Sequence, residues 1–171
     1  MTPIDEFTTA RLIARRICDD DFGYIARLYA DARVMATLGG VMSEEQARER
    51  LAAMVEHWKQ HGYGVWTLHT REDGRFAGRA GLRDVQIDGS AETELLYALR
   101  PEFWGKGIAT EIARAVVRIA FDRLRIATLI AYTLPDNRAS RRVMEKAGFR
   151  FEREITWAGL PHVLYRIARS D

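Results

Sequence analysis

The chain has 171 residues, 47% hydrophobic and 29% charged, enough for one domain, 1–171, with a real core and not the makeup of a disordered chain. A formal net charge of +2 argues against nucleic-acid or membrane-surface binding, and no apolar run is long enough to span a bilayer. The single cysteine, Cys18, cannot form an internal disulfide, and with no leader pattern a cytoplasmic location is expected.

Thr9 to Ile17 alternates Leu12, Ala14 and Arg16 against Arg11, Ile13 and Arg15, which predicts a first strand. Asp19-Asp20-Asp21 then suits a helix start, with a helix to Ala30 burying Phe22, Ile25, Ala26 and Tyr29. Leu38-Gly39-Gly40 breaks the chain. Ser43 with Gln46 reads as a capping box, opening a helix that buries Ala47, Leu51, Met54, Val55 and Trp58 and ends near Gly62. His57 and His61 stand one turn apart, but His57 is not followed by the Glu of the zinc-protease motif, so no metal is expected there or at the three aspartates.

Strands are expected over Gly64 to Thr70, Arg75 to Arg83 and Glu92 to Leu99, joined at Asp73-Gly74 and Asp88-Gly89-Ser90, a meander. Pro101 ends it. Gly105-Lys106-Gly107 makes a tight turn, and Ile108, Ala109, Ile112, Ala113, Val116, Ile119 and Ala120 follow at helical spacing. A glycine turn at a helix N-terminus offers free N–H groups and the positive dipole end to a phosphate or pyrophosphate. It is not a P-loop, since Ile108 follows Gly107 where Lys is required, and Thr110 stands where the dinucleotide motif needs a third glycine. Beyond it come a strand over Ile126 to Thr133, a short helix over Arg138 to Ala147 stopped by Gly148, and two strands, Arg150 to Thr156 and His162 to Ala168, joined at Gly159-Leu160-Pro161.

This order resembles the GNAT superfamily of N-acetyltransferases. The family's acetyl-CoA signature, Q/R-x-x-G-x-G/A, is similar to Trp104-Gly105-Lys106-Gly107-Ile108-Ala109, with Trp104 in place of the Gln or Arg. A second pattern, N-x-x-S-x-x-x-x-E-K-x-G-F, runs from Asn137 through Ser140, Glu145 and Lys146 to Phe149. Thr9-Ala10-Arg11-Leu12 and the run Glu94 to Gly107 resemble the branch holding the ribosomal-protein N-terminal (alanine/serine) acetyltransferases, where Trp at the position of Trp104 is common. The resemblance implies an α/β (α+β) acyl-CoA N-acyltransferase fold. It would be a mixed, mostly antiparallel twisted sheet of about seven strands with about four helices, splayed between the fourth and fifth strands.

It also implies a function: transfer of acetyl from acetyl-CoA to a primary amine, on a protein N-terminus or a small molecule, by direct attack. The pyrophosphate would lie on the amides of Gly105, Lys106, Gly107, Ile108, Ala109 and Thr110, with charge from Lys106. Pantetheine would pair with the backbone of Tyr97, Ala98 and Leu99 like an added strand, and an N–H there would polarise the thioester carbonyl. Asn137 would reach in from the far side of the gap, and Arg141, in a cluster with Arg138 and Arg142, would meet a coenzyme phosphate. Amines of pKa about 8 to 10 need a base. Glu94 takes that role, with Glu92 as backup. The family's Tyr on the short helix is missing, which leaves Ser140 as proton donor, with Tyr132 a weaker candidate. The other reading is a CoA-binding module that has lost its chemistry and acts as sensor or interaction domain. Trp58, Trp66, Trp157 and His162 fall on segments that shape the acceptor cleft. A monomer or homodimer is expected, with no nucleic-acid or membrane partner.

Overall fold

The computed structural model describes residues 4–169. Eight strands form one sheet in the order β1-β2-β3-β4-β5-β6-β8-β7. They are β1 (Glu6–Thr8), β2 (Leu12–Arg16), β3 (Val65–Thr70), β4 (Phe76–Ile87), β5 (Ser90–Leu99), β6 (Thr128–Thr133), β7 (Arg150–Trp157) and β8 (Leu160–Ala168). The helices are α1 (Phe22–Ala30), α2 (Ala32–Met35), α3 (Glu44–His61), α4 (Ile108–Arg118) and α5 (Arg138–Lys146). The expected first strand is thus a hairpin: β1 precedes it, and Thr9 to Arg11 form the turn. The added strand is β1, and the added helix is the short α2. The aspartates form a 3-10 turn ahead of α1, in which Asp21 accepts from the Cys18 N–H at 2.9 Å.

The helix boundaries follow local chemistry. Ser43 and Gln46 exchange bonds at 3.2 and 2.9 Å, closing the capping box of α3. Gly62 ends that helix with φ 73°, in the left-handed region a Cβ disfavours. Asp88 and Gly89 both carry positive φ between β4 and β5, as a two-residue primed turn demands. Ala158 and Gly159 do the same between β7 and β8, so Leu160 and Pro161 lie inside β8 rather than in the connection.

The core lies between the sheet and its helices. Leu12, Ala14, Trp66, Leu68, Leu82 and Ile112 are sealed within it, and Trp58 packs edge-on against Trp66 with centroids 5.1 Å apart. These two tryptophans are therefore core, not cleft. α4 packs on β4, β5 and α5. The end of α3 is tied to β4 by His57: its Nε2 accepts from the Asp84 N–H at 3.1 Å, so Nδ1 donates to the Tyr63 carbonyl at 2.9 Å.

Burial pushes the His57 imidazole below its ordinary range, and the Tyr63 bond and the Asp84 charge only partly oppose it. A depressed folded-state pKa means the unfolded chain binds the proton more readily. Stability from this group is full above the unfolded value of about 6.5 and declines as pH falls below it. His57→Gln should make the urea midpoint less sensitive to acidification from about pH 7 to about pH 5.5 than the parent's. Matching sensitivities would clear His57 of that role.

Candidate active site

The glycine turn sits where β5 hands over to α4. Gly105 and Gly107 have φ 69° and 75°. A Cβ at Gly105 would meet no atom within 4 Å, and one at Gly107 only the Arg11 Nη2 at 3.6 Å. The concavity is therefore open, and the first-turn N–H groups of α4 face it with the positive end of the helix dipole. Trp104 braces the turn by donating Nε1–H to the Leu99 carbonyl at 2.8 Å. That bond occupies the Leu99 acceptor, and the register turns the Ala98 backbone toward Arg79 of β4, so the groups left facing the gap there are those of Tyr97 and the Leu99 N–H.

The β1–β2 turn clasps the same corner. Glu111, in the first turn of α4, accepts from the Thr9 hydroxyl at 2.6 Å, the Arg11 N–H at 2.9 Å and the Arg11 Nε at 2.7 Å. Arg11 Nη1 then donates to the Lys106 carbonyl at 2.7 Å. Burial works to raise the Glu111 pKa, but these donors outweigh it and hold the carboxyl below its usual range. A cleft of about 660 Å³ opens beside Gly107 and Thr110, with Arg11, Arg114, Arg118 and Lys146 on its walls. Open glycines, free amides and clustered cations suit a nucleotide diphosphate.

The sheet opens between β5 and β6, which are parallel and share one register pair, Glu94 with Ile130. Glu94 stands at the closed end of that gap and is buried. Its Oε2 accepts from Arg83 Nε at 2.5 Å and from the Tyr132 hydroxyl at 3.3 Å, while Arg83 Nη2 donates to that hydroxyl at 3.0 Å. Burial works against the Arg83 charge, yet Glu94 and Tyr132 raise its pKa overall. Burial and the Glu94 charge raise that of Tyr132.

Residues 11–150 match the model of the acetyltransferase (GNAT) domain family. The chain belongs to the GNAT acetyltransferase family. YkkB of Bacillus subtilis (strain 168) is 30% identical over 138 residues, covering 81% of this chain and 80% of that protein. The crystal structure of an acetyltransferase from Agrobacterium tumefaciens str. C58 superposes with a TM-score of 0.85 at 25% identity, over 99% of this chain and 97% of that one. RimL, a ribosomal L7/L12 alpha-N-protein acetyltransferase solved with coenzyme A, superposes at 0.78 and 19% identity, over 94% of this chain and 95% of that one, a likeness of fold.

Within the GNAT frame, α5 faces β5 across the gap. The Ser140 hydroxyl lies 2.7 Å from the Tyr97 hydroxyl, which also donates to the Ser140 carbonyl at 3.2 Å. Burial raises the Tyr97 pKa to about 12 against the opposing effect of the Ser140 bond, so it stays protonated at neutral pH. Asn137 caps α5: Oδ1 accepts from the Ser140 N–H at 3.1 Å and Nδ2 donates to Thr133 Oγ1 at 2.9 Å. Arg141 is held by the Tyr165 hydroxyl and the Pro135 carbonyl, both at 3.0 Å. Both residues thus have structural partners, and Arg141 Nη2 has none among the described residues. Glu92 is engaged at both oxygens by Arg166, at 2.8 and 2.7 Å. Tyr132 is turned toward Glu94, and Trp157 and His162 pack on its ring at 5.3 and 5.7 Å.

His57, His61 and Asp84 converge, but both His57 ring nitrogens are already bonded, so that residue has no free lone pair for a metal. Arg11, Glu111, Arg83 and the Tyr97 side chain were missed from sequence. Thr9-Ala10-Arg11-Leu12 carried a family resemblance without revealing its contact with α4.

Glu111→Ala should cost about 1–2 kcal/mol of stability and weaken acetyl-CoA binding by about threefold or more by releasing Arg11. Thermal unfolding and calorimetry read the two effects. Undiminished affinity would separate the clasp from coenzyme binding.

Proposed function

We propose that this protein transfers acetyl from acetyl-CoA to a primary amine, on a peptide N-terminus or a small molecule, by direct attack. The observation that carries this reading is the opening of the sheet at Glu94 and Ile130, which leaves an unpaired strand edge leading from the glycine turn to a buried carboxylate. Acetyl-CoA supplies a thioester whose carbonyl accepts the nucleophile and whose thiol departs. The amides of Gly105 to Thr110 bind the diphosphate, and Tyr97 and the Leu99 N–H align the pantetheine arm, with Ala98 between them paired to β4. Fold likeness to ribosomal-protein acetyltransferases supports a peptide N-terminus as acceptor.

At the closed end, Arg83 and Tyr132 hold Glu94 through Oε2. Oε1 has no hydrogen-bond partner among the described residues and takes the amine's proton, directly or through water. Arg83 thus positions the base. On the opposite wall Ser140 donates to the departing sulfur, and Tyr97, still protonated at neutral pH, turns its one O–H from the Ser140 carbonyl to Ser140 Oγ and returns a proton there. Two hydroxyls in series stand in for the tyrosine missing from α5. Their spacing of 2.7 Å suits that relay.

Four single variants and one double variant test this. Gly107→Glu should abolish acetyl-CoA binding by filling the concavity with an anion, at a conformational cost of about 1–2 kcal/mol. Calorimetry on the folded variant reads it, and unchanged affinity would refute the diphosphate site. Glu94→Gln should keep coenzyme affinity and lower kcat by about a hundredfold or more near neutral pH; parental turnover would exclude Glu94 as base. Ser140→Ala and Tyr97→Phe should each slow thiol release, and the double variant should lose less than the product of the two. Multiplicative losses would mean independent roles. Acetyl-CoA bound without thiol release across an amine panel would favour a coenzyme-binding module instead.

A further inference from the structure

Arg79 lies on β4 opposite Ala98 of β5, four residues before Arg83, whose partner in register is Glu94. The two-residue period of a strand therefore puts Arg79 on the same sheet face as Arg83 and Glu94. The two arginines are treated differently. Arg83 meets a carboxylate and a hydroxyl. Arg79 meets neither: its Nε is buried without a hydrogen-bond partner, and no carboxylate pairs with it among the described residues. The guanidinium carbon lies 5.3 Å from the ring centroid of Tyr29 on α1, which orients the cation without neutralising it. Arg79 as a whole is only half-buried, so part of the residue stays open to solvent. The acids nearest on that face, Glu94 and Glu92, are committed to Arg83 and Arg166.

A sheltered guanidinium with no anion of its own is the complement of a ligand that brings one. We propose that Arg79 selects acceptors carrying a carboxylate, which it binds while the reacting amine lies at Glu94. This rests on the acetyl-transfer reading above. Four residues of strand, about 13 Å, separate Arg79 from Arg83 along the chain. The carboxylate therefore belongs several bonds from the amine. It is an acidic side chain or C-terminus of a short peptide, or the α-carboxylate of an amino acid acetylated at its side-chain amine, not the carboxylate adjacent to a reacting α-amine.

Matched acceptors test it. Ser-Glu-Ala amide is compared with Ser-Gln-Ala amide, and lysine with cadaverine, which differs by the missing α-carboxylate. With the parent, the carboxylate-bearing member of at least one pair should exceed its partner by about tenfold or more in kcat/KM, chiefly through KM. The favoured pair tells peptide from amino acid. Arg79→Met should bring that ratio close to one, and Arg79→Lys should restore part of it. Ratios near one in the parent, or an unchanged ratio in Arg79→Met, would overturn the proposal. Calorimetric titration of the same pairs into CoA-loaded protein reads the preference without turnover. An Arg79-dependent preference with no turnover would count against acetyl transfer alone. Equal binding with turnover would count against this proposal alone. Thermal unfolding confirms that each variant is folded.

Discussion

Everything at the active site depends on the sheet failing to close. β5 and β6 are parallel and touch in register at Glu94 and Ile130 alone. Elsewhere neighbouring strands pair antiparallel over several residues, ten of them between β4 and β5. A parallel pair requires a crossover, and α4 is that crossover. Because it leaves from the end of β5, its N-terminus is delivered to the mouth of the opening. The proposed diphosphate site and the strand edge are thus two consequences of one connection. An unpaired edge inside a domain leaves backbone donors and acceptors without partners, which an extended amide-bearing arm would satisfy.

The charges on the Glu94 face are arranged to hold that opening. Arg83 and Tyr132 reach from β4 and β6 to one carboxylate on β5. Arg166 on β8 takes both oxygens of Glu92 and also bonds Glu152 on β7. Backbone pairing between β5 and β6 is confined to Glu94 and Ile130, so side chains help bind the two halves of the sheet together. Buried pairs of this kind lose much of their Coulombic gain to desolvation. Their value is directional, since Glu94 is held through Oε2, which leaves Oε1 for the proposed role as base. Arg79 stands apart because no such partner reaches it.

The glycine turn is stiffened from outside. Arg11 joins the Lys106 carbonyl to Glu111 across the corner, and Trp104 pins the turn to the last carbonyl of β5. Fixed amides bind an anion without first being ordered. The clasp comes from the β1–β2 hairpin, at one edge of the sheet.

Local signals were enough for the longer helices, the meander and the glycine turn, because caps, periodicity and left-handed glycines act within a few residues. Ser43 with Gln46, Asp88-Gly89 and Gly105-Lys106-Gly107 each carried their own geometry. The resemblance in two motifs placed the gap and named Glu94 and Ser140 as candidates. Tertiary structure decided which polar groups are free. Asn137 became a cap, Arg141 a brace and Glu92 a locked pair, while Tyr97 turned its hydroxyl to Ser140 and Arg79 was left unpaired. A side chain's partners across 43 or 102 residues of sequence, as for Tyr97 with Ser140 and Thr9 with Glu111, depend on strand register and helix docking. Neither is written in the neighbourhood of either residue.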